Sequence, residues 1–473
     1  MSSAIRPLAV FRVDASKALG AGHAMRCVAL AQEWTRLGGK ACFLMASTIG
    51  FLDEIFLSEG WEMEVVGERD SVADAEFTAT FASGVSADWI VLDGYGFGSG
   101  YEKDLRTSAP EVGLLVVDDS LRDTHADLFV VPSHPVSREK WPRSSRLLGG
   151  WKYALLRQEF REPRPAVTGT APTVLVALGG TDPARLIPAV SGHLSAVASH
   201  RGWKVVAVST GPLPDGVERV VPGKNLSAHL RAATVLVCSA STVALEACAC
   251  GIPQVLLIVA DNQIPVAEAL CSAGAAVLAR SPERVVDEVE RILAGDDRER
   301  MSAVASSLVD GHGACRVANA MMAWNPDLRT VGAGDSDLIR DWANDPEVRA
   351  ASFQQGEIPH DVHEAWFRQR LGDPACWMRI AVDKAGRDFG LLRIEGGEQA
   401  VLSISIQKSH RGLGLGKRLL SRGCASFFRE FPKRTIQAKV KPGHAASIQA
   451  FRDAGFAIVK EQDNCVTFQL VGP

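Results

Sequence analysis

The chain has 473 residues, 47% hydrophobic and 22% charged, an ordinary globular composition but too long for one compact core, so two or three domains are expected. A formal net charge of −4 excludes a nucleic-acid binder that relies on a broad cationic surface, so any phosphate site must be built locally from backbone amides, helix termini and a few basic side chains. Met1–Val10 lacks a long apolar segment and no apolar run is long enough to span a bilayer, which predicts a soluble, cytoplasmic protein with neither a signal peptide nor a membrane partner.

From the start, short apolar runs alternate with longer amphipathic ones. Leu8–Val13 reads as a strand, Gly22–Leu37 as a helix and Lys40–Met45 as a second strand; Trp89–Asp93 and Gly113–Asp118 are strand-like and each ends in Asp. Such alternation predicts a parallel sheet covered on both faces. Between Pro142 and Pro165 the rhythm breaks, and the first domain boundary is placed there. A second set follows: strands at Thr173–Leu178, Lys204–Ser209 and Thr234–Ser239, a helix near Thr242–Cys250, a strand at Gln254–Val259 and helical sequence over Arg284–Leu308. Two consecutive open α/β domains, 1–160 and 161–325, are the expectation, with a cleft between them. Trp324–Gly334 reads as a linker to a third domain, 331–473, in which helices come before strands. The ten cysteines show no metal-type pairing, and the nearest pair, Cys248 and Cys250, lies in an apolar run without a neighbouring His. Buried, reduced thiols are expected, and no metal.

The first chemistry-bearing segment runs from Arg12 to Arg26 and contains Gly20-Ala-Gly22-His23. Gly20 and Gly22 allow a tight turn and close approach of a ligand to the backbone. His23 stands at a helix start, above the carboxyl ends of the strands, where open α/β sheets place ligands. The helix dipole disfavours imidazolium there, which makes His23 a candidate neutral base. Asp14, at the end of the preceding strand, is the candidate to orient the imidazole or the water it activates. Spacing alone reads equally well as a cap or surface histidine. The third glycine of a dinucleotide fingerprint is missing, Arg26 and its neighbours standing in that place, so NAD is not expected.

A second cluster follows the next set of strands. Leu178-Gly-Gly-Thr-Asp-Pro183 is a strand end and turn; in Cys238-Ser-Ala-Ser-Thr-Val-Ala-Leu-Glu-Ala247, hydroxyls gather at a helix start. Ser241 and Thr242 can cap the helix or contact phosphate. Glu246, about one turn further in, is a lone carboxylate on an otherwise apolar helix and can accept both hydroxyls of a ribose. Asn262 and Gln263, after the strand Gln254–Val259, can bind sugar hydroxyls or amides, or form an ordinary turn.

Taken in order, Gly-x-Gly-His, Leu92-Asp-Gly-Tyr95, Val117-Asp-Asp119, Gly149-Gly-Trp-Lys-Tyr-Ala-Leu-Leu-Arg157, Gly179-Gly-Thr-Asp-Pro183 and the Ser-x-Ser-Thr…Glu…Asp-Asn-Gln run resemble one family. It is the pseudaminic-acid pathway hydrolase acting on UDP-2,4-diacetamido-2,4,6-trideoxy-β-L-altropyranose, a GT-B-fold relative of glycosyltransferases. The resemblance covers roughly Leu8–Leu308. It implies two Rossmann-like domains, His23 as base, Glu246 on the uridine ribose, and Asn262 with Tyr95 on the sugar. The substrate-binding candidates are then Gly20, Gly22, Arg26, Tyr95, Ser241, Thr242, Glu246, Asn262 and Gln263, beside catalytic His23 and Asp14. Ser133-His134 stands where that family has an Asn-containing turn. A UDP leaving group needs its charge stabilised rather than protonated, so one base that activates water against C1 suffices, with inversion expected. A glycosyltransferase using the same nucleotide pocket is the rival reading.

In the third domain a strand, Val401–Gln407, runs into His410-Arg-Gly-Leu-Gly-Leu-Gly-Lys-Arg-Leu-Leu420. Gly412, Gly414 and Gly416 expose amides before a helix as a pyrophosphate cradle, with charge from Arg411 and Lys417. A strand at Thr435–Val440 precedes a short helix, Ala446–Phe456, that ends in Gly and Phe. The pattern resembles the GNAT acetyltransferases, an α+β family, and implies acetyl-CoA as co-substrate, bound through Arg411, Gly412, Gly414, Gly416, Lys417 and His444. Asp341–Arg349 and His363–Trp366 resemble the ribosomal-protein and amino-sugar branches. His444 replaces a common Asn and Phe451 a common Tyr acid, so the general acid is open, as is a binding-only role. Fusion suggests one sugar for both activities, with a UDP-4-amino sugar as acetyl acceptor.

Overall fold

A computed structural model describes residues 6–16, 20–67, 71–137, 146–162, 171–179, 186–222 and 225–472. The chain forms two compact units, Met1–Ala318 and Asn319–Pro473.

The first unit holds two parallel sheets. In the first, the strands are β1 (Leu8–Val13), β2 (Lys40–Met45), β3 (Glu62–Val65), β4 (Trp89–Asp93), β5 (Gly113–Val117), β6 (Leu128–Val131) and β7 (Arg146–Gly149), in the spatial order β3-β2-β1-β4-β5-β6-β7. Strands β4, β5 and β6 are buried along their whole length, which is why they read as unbroken apolar runs. In the second, β8 (Thr173–Ala177), β9 (Lys204–Val208), β10 (Val217–Val220), β11 (Val235–Ser239), β12 (Gln254–Leu257) and β13 (Ala276–Leu278) lie in the order β10-β9-β8-β11-β12-β13. Alternate residues feed its two faces: Leu175, Leu236 and Leu256 join one core cluster, Val174, Val237 and Val255 the other, the period of 2 that a strand imposes. Both orders reverse direction beside the first strand, at β1/β4 and at β8/β11, and a crevice for ligands opens at such a switch point.

After β7 the chain crosses to the second sheet: Ala154, Leu156 and Phe160 are in that sheet's core with Val243, Ala244 and Ala247. The crossing is tight, since a Cβ on Gly313 would lie 2.2 Å from the Ala154 carbonyl oxygen, so only glycine fits there. Arg161, at the end of the crossing, pairs with Glu33 at 2.6 Å and donates to the Gly311 carbonyl. Glu33 lies fully buried on the first helix, α1 (Gly22–Arg36).

In the second unit β14 (Asp327–Thr330), β15 (Cys376–Val382), β16 (Asp388–Glu395), β17 (Gln399–Ile406), β18 (Thr435–Val440), β19 (Ala457–Gln462) and β20 (Cys465–Val471) are ordered β14-β15-β16-β17-β18-β20-β19. All neighbours are antiparallel except β17 and β18. That parallel pair is in register only from Gln399↔Thr435 to Val401↔Gln437, and beyond it the two strands diverge.

One expectation is corrected. Trp324–Gly334 is not simply a linker: it contains β14, paired with β15 from Asp327↔Val382 to Thr330↔Arg379. Its Arg329 is clamped by Asp335 and Asp388, a long-range pairing that local composition does not carry. Beyond β14 the helices Ser336–Ala343, Pro346–Ala351 and His360–Leu371 come before β15, the expected order of helices then strands. Lys17–Leu19 of the glycine loop, Gly180–Pro183 of the second-sheet turn, and parts of the Pro142–Pro165 break lie outside the described residues. Cys27, Cys42, Cys238, Cys248, Cys250 and Cys424 are buried, whereas Cys271, Cys315, Cys376 and Cys465 are half-buried, and burial pushes Cys42 up to about 11 and Cys248 to about 12. Among the described residues no helix is long and apolar enough to cross a membrane.

Candidate functional site

His23 occupies the first turn of α1, directly beyond the β1/β4 switch point. Its Nδ1 lies 2.6 Å from Asp93 Oδ1, and Asp93 is the last residue of β4, fully buried. Arg26, one turn along α1, donates to both Asp93 oxygens, from Nε at 3.0 Å and Nη2 at 2.6 Å. Arg26 Nη2 is also 3.0 Å from His23 Nδ1. Nδ1 cannot both accept from Arg26, whose guanidinium only donates, and donate to Asp93; the Asp93 contact is the shorter, a lone pair facing that carboxylate would be repulsive, and Arg26 Nη2 already donates to Asp93 Oδ1, so the proton is assigned to Nδ1. The Nε2 lone pair is left for chemistry. Arg26 Nη1 donates in turn to Asp119 beyond β5. Burial alone would raise the Asp119 carboxyl, but the Arg26 guanidinium overrides it and holds it below the ordinary range. The ring of Tyr95 stands edge-on to His23, centroids 4.6 Å apart.

Two further candidates on this rim are held by protein partners. Asp14 does not touch His23: it accepts from Arg12 Nη1 at 2.6 Å and from the Ala46 amide at 2.7 Å, tying the ends of β1 and β2 together. Arg26 is 7% exposed and committed to Asp93 and Asp119, so it organises the rim instead of facing a substrate. The orienting carboxylate, Asp93, was not singled out from sequence, although an acid closing the apolar run Trp89–Asp93 was its visible signal. Gly20, with φ of 80°, bonds back to Ser16 and closes the turn that delivers α1. His134, at the departure from the family pattern, follows β6 and has Nδ1 3.1 Å from Ser133 Oγ.

The second cluster lies beyond the β8/β11 switch point. The helix Thr242–Ala249 starts at Ser241, whose side chain makes no capping bond and instead meets Ser239 Oγ at 3.0 Å. Gln254 Nε2 donates to the Ala244 carbonyl at 3.0 Å, fixing this helix to β12. Glu246 is 6% exposed. Among the described residues none donates it a hydrogen bond, and its nearest cation is Arg157, at 3.9 Å. Burial pushes its carboxyl up to about 7, Arg157 pulling it down and Glu159 pushing it up by less. A buried carboxylate short of donors is costly to ionise.

The two clusters face each other. A Cβ on Gly22 would lie 3.9 Å from Thr242 Oγ1, and Asn262 Nδ2 donates to Tyr95 Oη at 2.6 Å. Gln263 turns inward, its Oε1 accepting from the Val259 amide, so the ordinary-turn reading fits it.

In the second unit, Gly412 and Gly414 are left-handed, with φ of 73° and 79°, and Gly414 is the N-cap of the helix Leu415–Glu430. The loop follows β17, where β17 and β18 separate, so helix amides and the splayed edge adjoin. Gly416 serves packing: a Cβ there would meet Ala450 Cβ at 3.3 Å. Lys417 is exposed on the first turn. Arg411 is turned elsewhere, with Nε on the Ile406 carbonyl and Nη1 on Asp345 and Glu347. His444 caps the helix Ala445–Asp453, accepting from the Ser447 amide. Phe451 packs in the core against Phe456 and Phe468. A cavity of about 650 Å³ is lined by Phe353, Gln437, Lys439, Val459, Lys460 and Thr467, among others.

Residues 327–457 match the family model of the acetyltransferase (GNAT) domain. No curated protein matches the chain. Among solved structures, the chain is similar to MurG of Acinetobacter baumannii, with 15% identity over 67% of this chain and 99% of that one, TM-score 0.47. It is also similar to spermidine N-acetyltransferase of Vibrio cholerae in complex with CoA and spermine, 16% identical over 32% of this chain and 96% of that one, TM-score 0.30. A third likeness is to a domain from Methanocaldococcus jannaschii, 16% identical over 31% of this chain and 97% of that one, TM-score 0.28. The chain thus joins two parallel, Rossmann-like sheets to a region, residues 327–457, that matches the GNAT acetyltransferase domain.

Proposed function

We propose that the first unit hydrolyses a UDP-linked 2,4-diacetamido-2,4,6-trideoxy sugar, in the cytoplasmic route to pseudaminic acid. In this reading residues 1–160 carry the base, 161–325 hold UDP and 331–473 transfer acetyl groups. The observation that carries it is the 2.6 Å contact of His23 Nδ1 with the buried Asp93 carboxylate, which supports an Nδ1–H tautomer with the Nε2 lone pair available. Nε2 takes a proton from water as the water oxygen bonds to C1. The bond from C1 to the UDP oxygen breaks, and UDP departs as an anion toward the Ser241–Thr242 helix start. Glu246 accepts the ribose hydroxyls; Tyr95 and Asn262 contact the sugar. Hydrolysis in oxygen-18 water tests the chemistry: label belongs in the sugar and not in UDP, and free sugar forms at full rate without another acceptor. Label in UDP, or dependence on a sugar acceptor, rejects hydrolysis at C1.

The GNAT domain supplies acetyl-CoA chemistry, transfer of an acetyl group to an amine. The left-handed Gly412 and Gly414 ahead of the helix Leu415–Glu430 fit a diphosphate, and the splay between β17 and β18 leaves strand edge for the rest of the cofactor. We assign the acceptor to the cavity beside β18, where Lys439 and Lys460 suit the diphosphate of a UDP-4-amino sugar. Acetyl-CoA consumption with that sugar nucleotide is the expected result. Preference for a polyamine over it rejects the assignment.

A further inference from the structure

The segment that crosses between the two sheets of the first unit brings a cation to the carboxylate on the opposite helix. Arg157 is 9% exposed and its guanidinium lies over the Phe160 ring, 5.1 Å from the centroid. Nη1 pairs with Glu159 Oε1 at 2.8 Å, while Nη2 stops 3.9 Å from Glu246 Oε1. Nε is buried with no hydrogen-bond partner among the described residues. A guanidinium offers five donors, so Arg157 has capacity left over. Two carboxylates, the buried Glu246 and the half-buried Glu159, share this one cation unequally. Glu159 also feels Arg231, which donates to its backbone carbonyl at 2.6 Å. Arg157 and Glu159 are the charged groups that act on Glu246; β11 and the helix Asp297–Leu308, also packed on its helix, contribute none that does. Closing the gap by about 1 Å would give Arg157 a charge-assisted hydrogen bond to Glu246.

We propose that Arg157 is a positioning residue of the nucleotide site: it holds and orients the Glu246 carboxylate for a ribose diol, so that nucleotide affinity is set by the segment joining the two lobes. The inference rests on Glu246 being the nucleotide carboxylate. A diol donates two hydrogen bonds to an ionised carboxylate, so binding is favoured in the form Arg157 stabilises, and Glu159 competes for the cation.

Titration of the full chain with UDP from pH 6 to 8.5 tests this, with thermal unfolding as the check on folding. Arg157→Gln should weaken binding about tenfold at pH 7 and move the pH midpoint of binding up by about one unit. Arg157→Lys, which keeps the charge, should restore most of both. Glu159→Gln should act in the opposite sense, lowering the midpoint and tightening UDP, and it keeps the test decisive if Arg157→Gln does not fold. A Glu159→Gln profile identical to the native one, or native-like UDP binding by folded Arg157→Gln, overturns the inference while leaving the nucleotide site intact. No UDP binding by the native chain overturns the nucleotide reading and this inference with it.

Discussion

Asp93 and Glu246 are both buried carboxylates beside a switch point of a parallel sheet, yet their surroundings are opposite. Asp93 receives three N–H donors, from His23 and twice from Arg26. Glu246 receives none from the described residues and has its nearest cation at 3.9 Å. A carboxylate saturated by its own fold is finished machinery, since its hydrogen bonds exist before any ligand arrives and cost no reorganisation during reaction. A buried carboxylate short of donors carries its desolvation cost until a ligand supplies them. In the proposed hydrolysis the same residue type orients the base on one rim and receives the nucleotide on the other.

The largest expected effect is at Asp93. Asp93→Asn can offer an amide N–H to Nδ1 and stabilise the wrong tautomer of His23, so kcat should fall by about 10³-fold or more, with UDP affinity unchanged. A loss below about tenfold in a folded variant would erase the distinction between the rims. Glu246→Gln should do the reverse, weakening UDP by about tenfold with kcat at saturation nearly kept. Its pH signature sharpens the contrast. The carboxyl is raised from 4.5 to about 7, so the ligand-free fold binds this proton more tightly than the unfolded chain does. The stability linked to it is present below pH 4.5 and lost as pH rises through about 7. Glu246→Gln should flatten that slope in thermal melts, and the stabilisation of the native chain by UDP should grow from pH 6 to 8.

Smaller effects are expected in the second unit. Gly414→Ala forces a Cβ onto a left-handed N-cap, φ 79°, and should cost about 1 kcal/mol of stability together with CoA affinity. Arg411→Ala should change CoA affinity by less than about threefold, because its guanidinium is already held by Asp345 and Glu347; calorimetric titration separates the two.

Legibility followed burial. Trp89–Asp93 and Gly113–Val117 were readable because both faces are covered and every position but the closing Asp93 is apolar. Glu62–Val65, with Glu at two of four positions and mostly exposed, and the edge strand Asp327–Thr330 were not, since their place is set by pairing with distant partners. His23 was found from its glycines and its helix start. Its carboxylate neighbour has a topological origin: Asp14 is nearer in sequence, but β4 lies beside β1 and brings Asp93 to the ring. The GNAT loop was legible as a pattern of glycines, but the direction taken by Arg411 depends on Asp345, which sequence alone does not place beside it.

The pair between Glu33 and Arg161 at 2.6 Å gives α1 the character of a lever. One end of this rod bears the imidazole; the other, about 15 Å away at 1.5 Å per residue, is bolted to the strap that leads into the second sheet. Any rocking of that strap must either sever a buried ion pair or swing the histidine with it.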